Sequence, residues 1–351
     1  MKIAIIGTGI AGNYAAWRLA REHDITVYEA RDRIGGHTNT IEVEEAGRTL
    51  AVDTGFIVYN DATYPNFLAL LDDLGVASQP SDMSFSVTGG RLGLEYNGSN
   101  LNTLFAQRRN LVRPSFYRML ADILRFNRSA PALLEQPDTA LTLGDYLDGN
   151  GYSEQFVDYY ILPMGSAIWS TTAERMRAMP AVFFVRFFQN HGLLSIDDRP
   201  QWRVVRGGSA RYVDKLVAGH RDRIRLGAAV RELRRDADGV EVRAEGCAPE
   251  RYDRVFLACH SDEALAMLAD PTPGEHEVLG AIAYQRNEAV LHTDTSLMPR
   301  RRLAWAAWNY NLPADAERLD GQVTLTYNMN ILQGLDAQQQ YCVTLNNTDA
   351  I

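Results

Sequence analysis

The chain has 351 residues, more than one hydrophobic core usually serves, so two domains are expected. Apolar residues make up 46% and charged residues 23%, the balance of a folded enzyme, and no biased stretch points to long disorder. A formal net charge of -9 and a pI near 5.3 repel a phosphate backbone and exclude general nucleic-acid binding, leaving room only for a local basic patch.

The opening apolar run, residues 2–6, has the character of a strand buried on both faces of a parallel sheet. It leads straight into glycines, so no cleavable leader is expected and the expected location is cytoplasmic. No apolar run reaches about 18 residues, the length that would suggest a bilayer span. Residues 13–21, NYAAWRLAR, favour a helix and 25–29 a second strand, which completes a β-α-β unit. Residues 49–59 read as a further strand, 64–74 as a helix, and 84–94 as a hairpin turning at Gly89-Gly90. From 101 to 188 the pattern is mostly helical, with breaks expected at Pro114, Pro131, Pro137, residues 149–151 and Pro163. Residues 202–205 return to strand, and Gly207-Gly208 opens a helix carrying Tyr212, Val213 and Leu216. A small meander is expected from 224–226, 230–234, 240–244 and 254–258, and a second sheet from 286–293, 303–311, 322–329 and 341–345. There is no internal repeat.

Gly7-Thr8-Gly9-Ile10-Ala11-Gly12 sits after a buried strand and at the first turn of a helix, where a phosphate loop belongs. Gly7 permits the tight turn, Gly9 lets the backbone approach a pyrophosphate, and Gly12 lets helix and strand pack closely, while the helix N-terminus offers amides to the anion. Glu29 ends the second strand, 17 residues beyond Gly12, where a carboxylate accepts from both ribose hydroxyls and disfavours a 2′-phosphate. Strand, loop, helix and acid in register point to dinucleotide binding, with NAD and FAD both open at this stage.

The residues after the acid, VYEARDRIGGHTNT, resemble those of the amine oxidase and phytoene desaturase superfamily of FAD enzymes. Glu29 to His37 match its E-A-x-x-R-x-G-G-[RH] segment, so the resemblance implies FAD contacts from Gly7, Gly9, Ile10, Ala11, Gly12, Glu29, Ala30, Arg31, Gly35, Gly36, His37 and Thr38. VDTGFIVYN looks like the segment beside the flavin ring and adds Gly55, Phe56, Ile57 and Val58. RGGSARYVDKL looks like the second glycine pair, Val230 holds the place of the adenine clamp, and YDRVFLACH, with Ala258, looks like the strand returning to the cofactor. The resemblance implies an α/β fold: a Rossmann-type, glutathione reductase-like FAD-binding domain, residues 1–83 and 201–268, with an inserted α+β substrate domain, 84–200 and 269–351. That inserted domain would hold the helical stretch and an antiparallel sheet. AWAAWNYNL and TYNMNILQGL make the layout most similar to bacterial NAD/FAD-binding oxidoreductases encoded beside cyclopropane fatty acid synthase, with fatty acid double-bond isomerases as near relatives. The resemblance covers nearly the whole chain.

Two departures bear on function. Relatives usually continue past a stretch like YCVTLNNTDAI into a glycine-bearing segment that caps the pyrophosphate, so a fragment lacking that segment is expected. Many amine oxidases place a lysine near the flavin from the substrate sheet, whereas this chain's two lysines are Lys2 and Lys215, and Lys215 reads as a solvated surface charge. That weakens amine oxidation against hydride abstraction from a hydrophobic substrate such as a lipid acyl chain, by desaturase- or isomerase-like chemistry. Amine oxidation, a non-catalytic flavin-binding protein and an NAD dehydrogenase are the alternatives.

Trp169, Trp202, Trp305, Trp308 and Tyr310 fall in segments that the family folds around substrate, and Trp169, Trp202, Trp308 and Tyr310 are the candidates for lining it; packing in the core is the competing reading. No catalytic acid or base can be named, and His191 and His260 read as structural histidines. Cys247, Cys259 and Cys342 are spaced too widely for a zinc or redox motif, and no metal ligand set or nucleophile elbow occurs. Arg108, Arg109, Arg113, Arg118, Arg125 and Arg128 crowd an apolar helical stretch, either as a solvated face or as a peripheral contact with the inner face of a membrane.

Overall fold

The computed structural model of the chain describes residues 1–135, 137–195, 199–312 and 324–351. Lys2–Ile6 and Asp24–Tyr28 lie side by side in parallel, in register from Lys2 opposite Asp24 to Ile6 opposite Tyr28. The helix Ile10–Leu19 crosses between them. On one flank Arg254–Leu257 pairs in parallel with the first strand, and on the other Ile224–Arg225 pairs with the second, giving a four-stranded parallel sheet. This corrects the expected meander. Residues 224–226 and 254–258 leave it for the parallel sheet, and the antiparallel meander is built instead from Val230–Asp236, Gly239–Ala244 and Glu250–Tyr252. Short apolar strands carry no mark of partner or direction. The polar residues of Glu250–Tyr252 hid the third strand, whose Tyr252 hydroxyl meets that of Tyr28 at 2.7 Å.

Residues 49–59 do not form one strand. Arg48–Asp53 pairs with Thr40–Glu45, the chain bends through 54–57, and Val58–Asn60 pairs with Trp202–Val205. A Cβ on Gly55 would sit 1.8 Å from the His37 carbonyl oxygen, so the bend needs glycine. Trp202–Val205 also pairs with Ser78–Pro80.

A six-stranded sheet combines Phe85–Gly89 and Leu94–Asn97 with Ala289–His292, Trp308–Leu312, Leu325–Asn328 and Cys342–Leu345. It is mixed, not antiparallel as expected, because Trp308–Leu312 runs parallel to Phe85–Gly89. The turn of the 85–97 hairpin spans 90–93, with both Gly89 and Gly90 at positive φ. The strand expected at 303–311 begins only at Trp308, since Arg302–Ala304 forms a short 3-10 turn. Of the strand expected at 322–329, residues 322 and 323 lie outside the described residues, and Met329 already begins the helix Met329–Leu332.

Residues 101–134 and 143–190 are mostly helical, in line with the expectation for 101–188, and pack on this sheet around Phe116, Phe126, Phe156, Phe184 and Phe188. Pro114 opens the helix Pro114–Ser129. The break expected at Pro163 is absent: the helix runs on to Trp169 by way of a π-helical turn at Val157–Ile161. Pro163 has no N–H to give, and the widened turn just before it absorbs the mismatch. No helix among the described residues is long and apolar enough to cross a membrane.

Candidate nucleotide-binding cleft

The glycine loop is fixed by close backbone contacts. Gly7 has a φ of +102°, and a Cβ there would lie 2.5 Å from the Ala258 carbonyl oxygen; a Cβ on Gly12 would lie 1.9 Å from the Gly7 carbonyl oxygen. Gly12 therefore faces the packing between helix and strand, not the cleft. A Cβ on Gly9 would meet nothing within 4 Å, because this residue borders open space. Gly9 caps the helix Ile10–Leu19, whose first turn holds no acidic side chain, so its amides and positive dipole end are left for an outside anion.

Glu29 is buried beside this loop and accepts from the Thr8 amide at 3.0 Å, from the Thr8 hydroxyl and from the Arg31 amide at 2.9 Å. These bonds hold the carboxylate in one orientation at the cleft wall. The second loop lies over the first: the Gly35 amide donates to the Thr8 carbonyl at 3.1 Å, and Gly36, at a φ of +59°, comes so near Gly9 that a Cβ would stand 2.7 Å from its Cα. Arg33 closes this loop from within by donating to the carbonyls of Thr38 at 3.0 Å and Gly36 at 2.9 Å. Burial and the neighbouring Arg31 lower the Arg33 pKa.

Asp53 is a functional support that the sequence reading missed. Fully buried, it accepts from the Ser209 amide at 2.9 Å, the Ser209 hydroxyl at 3.1 Å and the Thr40 hydroxyl at 2.5 Å. Burial raises its pKa, against the hydrogen bonds from Thr40 and Ser209. In this way it ties the Gly207-Gly208 turn to the strand Arg48–Asp53. An acid ending the otherwise apolar TLAVD was the only signal.

Together these elements enclose a cleft of about 930 Å³. Of the residues singled out in the sequence, Gly7, Gly9, Ile10, Ala11, Glu29, Ala30, Arg31, Gly35, Gly36, His37, Thr38, Phe56, Val230 and Ala258 line it. Gly12 and Gly55 stand behind it in backbone packing, Ile57 is buried in the core with Val52 and Val204, and Val58 pairs with Val204. Residues not anticipated there are Phe67 and Tyr212, which meet Phe56 and each other edge to face, together with Tyr64, Cys259, Glu263 and Met267. His260 also lines it, stacked between His37, at 5.6 Å between ring centroids, and Tyr284, at 4.2 Å; it is not the isolated histidine its sequence suggested.

The aromatic candidates lie elsewhere. Trp169 packs on Phe187 at 4.6 Å, Phe187 stacks on His191 at 3.9 Å, and His191 faces Trp202 at 6.2 Å. Trp308 meets Tyr327 edge to face at 4.9 Å. Tyr310 is buried in the helical core, where desolvation pushes its hydroxyl up to about 12. Trp305 donates its indole N–H to the Pro299 carbonyl at 2.7 Å. Lys215 is not merely solvated: its ammonium donates to the carbonyls of Leu74 at 3.0 Å and Gly75 at 2.7 Å, ending the helix Pro65–Asp73. Among the described residues, no group of three or more His, Cys, Asp or Glu is placed to hold a metal ion.

The glycine cradle, the uncompensated helix end, the oriented carboxylate and the volume of the cleft fit an adenine dinucleotide. The family model for flavin containing amine oxidoreductases matches residues 10–296. A protein of Mycobacterium tuberculosis named as a flavin-containing monoamine oxidase, AofH, is 26% identical over 294 residues, covering 79% of this chain and 61% of that protein. The chain thus spans about three-fifths of the length of this curated relative. Cyclohexylamine oxidase from Brevibacterium oxydans shares the fold with a TM-score of 0.67 at 17% identity, over 98% of this chain and 75% of that one. A CLA-producing fatty acid isomerase from P. acnes does so with a TM-score of 0.65 at 17% identity, over 98% and 76%. The chain belongs to the flavin containing amine oxidoreductase family, and the cofactor its cleft fits is FAD.

Proposed function

We propose that this protein is an FAD-dependent oxidoreductase that removes hydride from a hydrophobic substrate, a lipid acyl chain, in desaturase- or isomerase-like chemistry. The observation that carries the flavin part is the cleft itself, which Glu29, the Gly9 helix end and the Val230 segment line together. On this reading residues 1–83 and 201–268 form the cofactor-binding part and 84–200 and 269–351 the substrate part. The layout supports the branch encoded beside cyclopropane fatty acid synthase.

When bound, FAD supplies the hydride acceptor. The chain's own residues do the positioning. Amides at the start of Ile10–Leu19 would hold the pyrophosphate and Glu29 would accept from the ribose, while Gly36 over Gly9 keeps both loops at contact distance. Phe56, Tyr64, Phe67 and Tyr212 exclude water along the cleft wall. Trp169, Trp202, Trp308 and Tyr310 give the substrate segments an aromatic character suited to an acyl chain.

The names of AofH and cyclohexylamine oxidase favour an amine as the second reading. Against it, both lysines are engaged in the fold: Lys2 with Glu250 at 3.4 Å, and Lys215 with the two carbonyls described above. The test is the absorption spectrum of the purified protein during anaerobic addition of an unsaturated fatty acid or of a primary amine. Bleaching of the flavin bands by the fatty acid alone is the expected result. Bleaching by the amine alone overturns the acyl-chain reading, and a protein that carries no flavin overturns both.

A further inference from the structure

Residues 101–130 hold six arginines and one carboxylate, Asp122, in a chain whose net charge is -9. Asp122 is buried and its charge is shared by Arg118, at 3.4 Å, and Arg125, at 3.0 Å. Arg108 and Arg109 turn to neutral acceptors, the carbonyls of Phe105 at 2.9 Å and Gly93 at 2.8 Å, so their charges stay uncompensated.

The same segment is inverted in polarity. Val112 is 85% and Leu101 75% exposed, and Leu111, Tyr117 and Leu124 are exposed too. Asn110 is fully buried, with neither its side-chain Nδ2 nor its Oδ1 hydrogen-bonded, and the side-chain oxygen of Gln107 is likewise without a partner. A stretch that buries unpaired amides while showing leucine and valine to solvent contradicts ordinary burial. Natural sequences keep such contradictions mainly at functional sites.

These residues form one continuous surface. The Phe105 ring meets that of Tyr117 at 6.0 Å, the Tyr117 hydroxyl donates to the Leu111 carbonyl at 2.9 Å, and Leu124 follows Tyr117 by two helical turns. The helix Leu101–Leu104 also packs against Arg302–Ala304, so a second basic run from a distant part of the chain, Arg300, Arg301 and Arg302 with exposed Leu303, borders the same face; within it Arg301 is paired with buried Glu95 at 2.7 Å.

From this geometry we propose that the surface made by 101–128 and 300–303 docks the protein onto an anionic lipid bilayer. Exposed leucine and valine would enter the acyl boundary and the arginines would take the lipid phosphates, the division of labour of an interfacial helix. The charge pattern selects the occupant: a cationic rim whose paired carboxylates, Asp122 and Glu95, are buried complements a negative lipid surface, and a second copy of this chain, offering the same cations, would be repelled.

The test is co-sedimentation of the protein with phosphatidylcholine vesicles, with and without about a third phosphatidylglycerol, at low and high salt. The expected result is binding only to the anionic vesicles, lost at high salt. Arg128→Gln and Arg300→Gln should each lower the partition about fivefold, and Leu111→Ser with Val112→Ser about tenfold. All four side chains are exposed, so thermal midpoints should not move. Equal binding to both vesicles, no binding, or binding that survives every variant would overturn the proposal. So would a shift in oligomeric state on Leu111→Ser/Val112→Ser, which would assign the face to a second copy. No outcome depends on flavin chemistry.

Discussion

Replacing Gly9 by alanine should separate cofactor binding from folding. Its backbone, with a φ of -66° and a ψ of -178°, is open to any residue, and a Cβ there meets no protein atom within 4 Å. Loss of backbone freedom in the unfolded chain favours alanine by about 0.4–1 kcal/mol. The preference for glycine at a helix N-cap offsets a similar amount, so the apoprotein should keep its stability to within roughly 0.5 kcal/mol. The new methyl points into the cleft where the pyrophosphate must approach the amides. Losing one hydrogen bond to a charged phosphate costs about 1.5–3 kcal/mol, which is roughly a 10- to 150-fold weaker FAD affinity. Gly12→Ala is the counterpart, since its Cβ would stand 1.9 Å from the Gly7 carbonyl oxygen, and it should destabilise the fold by about 3 kcal/mol or more. Urea unfolding of both apoproteins, beside a fluorescence titration with FAD, measures the two effects. The argument fails if Gly9→Ala unfolds as readily as Gly12→Ala, or if its FAD affinity stays within about twofold of wild type.

Lys215→Met removes a cation from the end of Pro65–Asp73 and should cost about 0.5–1 kcal/mol in urea unfolding, without changing the flavin spectrum. Burial, with Glu263 nearby, pushes the Cys259 thiol up to about 11, so iodoacetamide should label it slowly at pH 8 and faster as pH approaches 11; mass spectrometry with and without FAD reads the rate, which bound cofactor should lower further because Cys259 lines the cleft. Burial, and then the charge of Arg223, lowers the His220 pKa, so the unfolded chain takes up a proton that the folded one resists. Stability should therefore fall as pH drops through the ordinary histidine range and on to the folded pKa, and unfolding of His220→Gln at pH 7.5 and 5.5 should show a smaller pH dependence than wild type.

The cofactor loop was legible because its demands are local. Gly7 needs glycine for its own positive φ and Gly12 for the Gly7 carbonyl five residues back, although Ala258 also crowds Gly7 from far along the chain, and Glu29 follows from the length of one β-α-β unit. The longest-range features were not. Asp53 depends on Ser209, a partner 156 residues away, and the acid that ends TLAVD does not name that partner. Residues 254–258 have the composition of a strand in either direction, and only the open edge of Lys2–Ile6 decides that Arg254–Leu257 runs parallel. The stack of His37, His260 and Tyr284 likewise joins residues that the sequence keeps far apart. The aromatic candidates were recognisable as residues, but the sequence could not place them relative to the cleft, since their positions follow from how the helices of 101–190 meet the six-stranded sheet.

The pairing of Arg254–Leu257 with Lys2–Ile6 sets an order of events during synthesis. When the glycine loop leaves the ribosome, the strand that backs it is still some 250 residues from being made, and the helical stretch between them can condense first around its own phenylalanines. At a synthesis rate of about 5–20 residues per second, the nascent β-α-β unit waits tens of seconds with both sheet edges bare, the edge of Lys2–Ile6 the longer. Capture of FAD is in this sense a late checkpoint, reached only when the chain has returned to close the edge that its first residues left open.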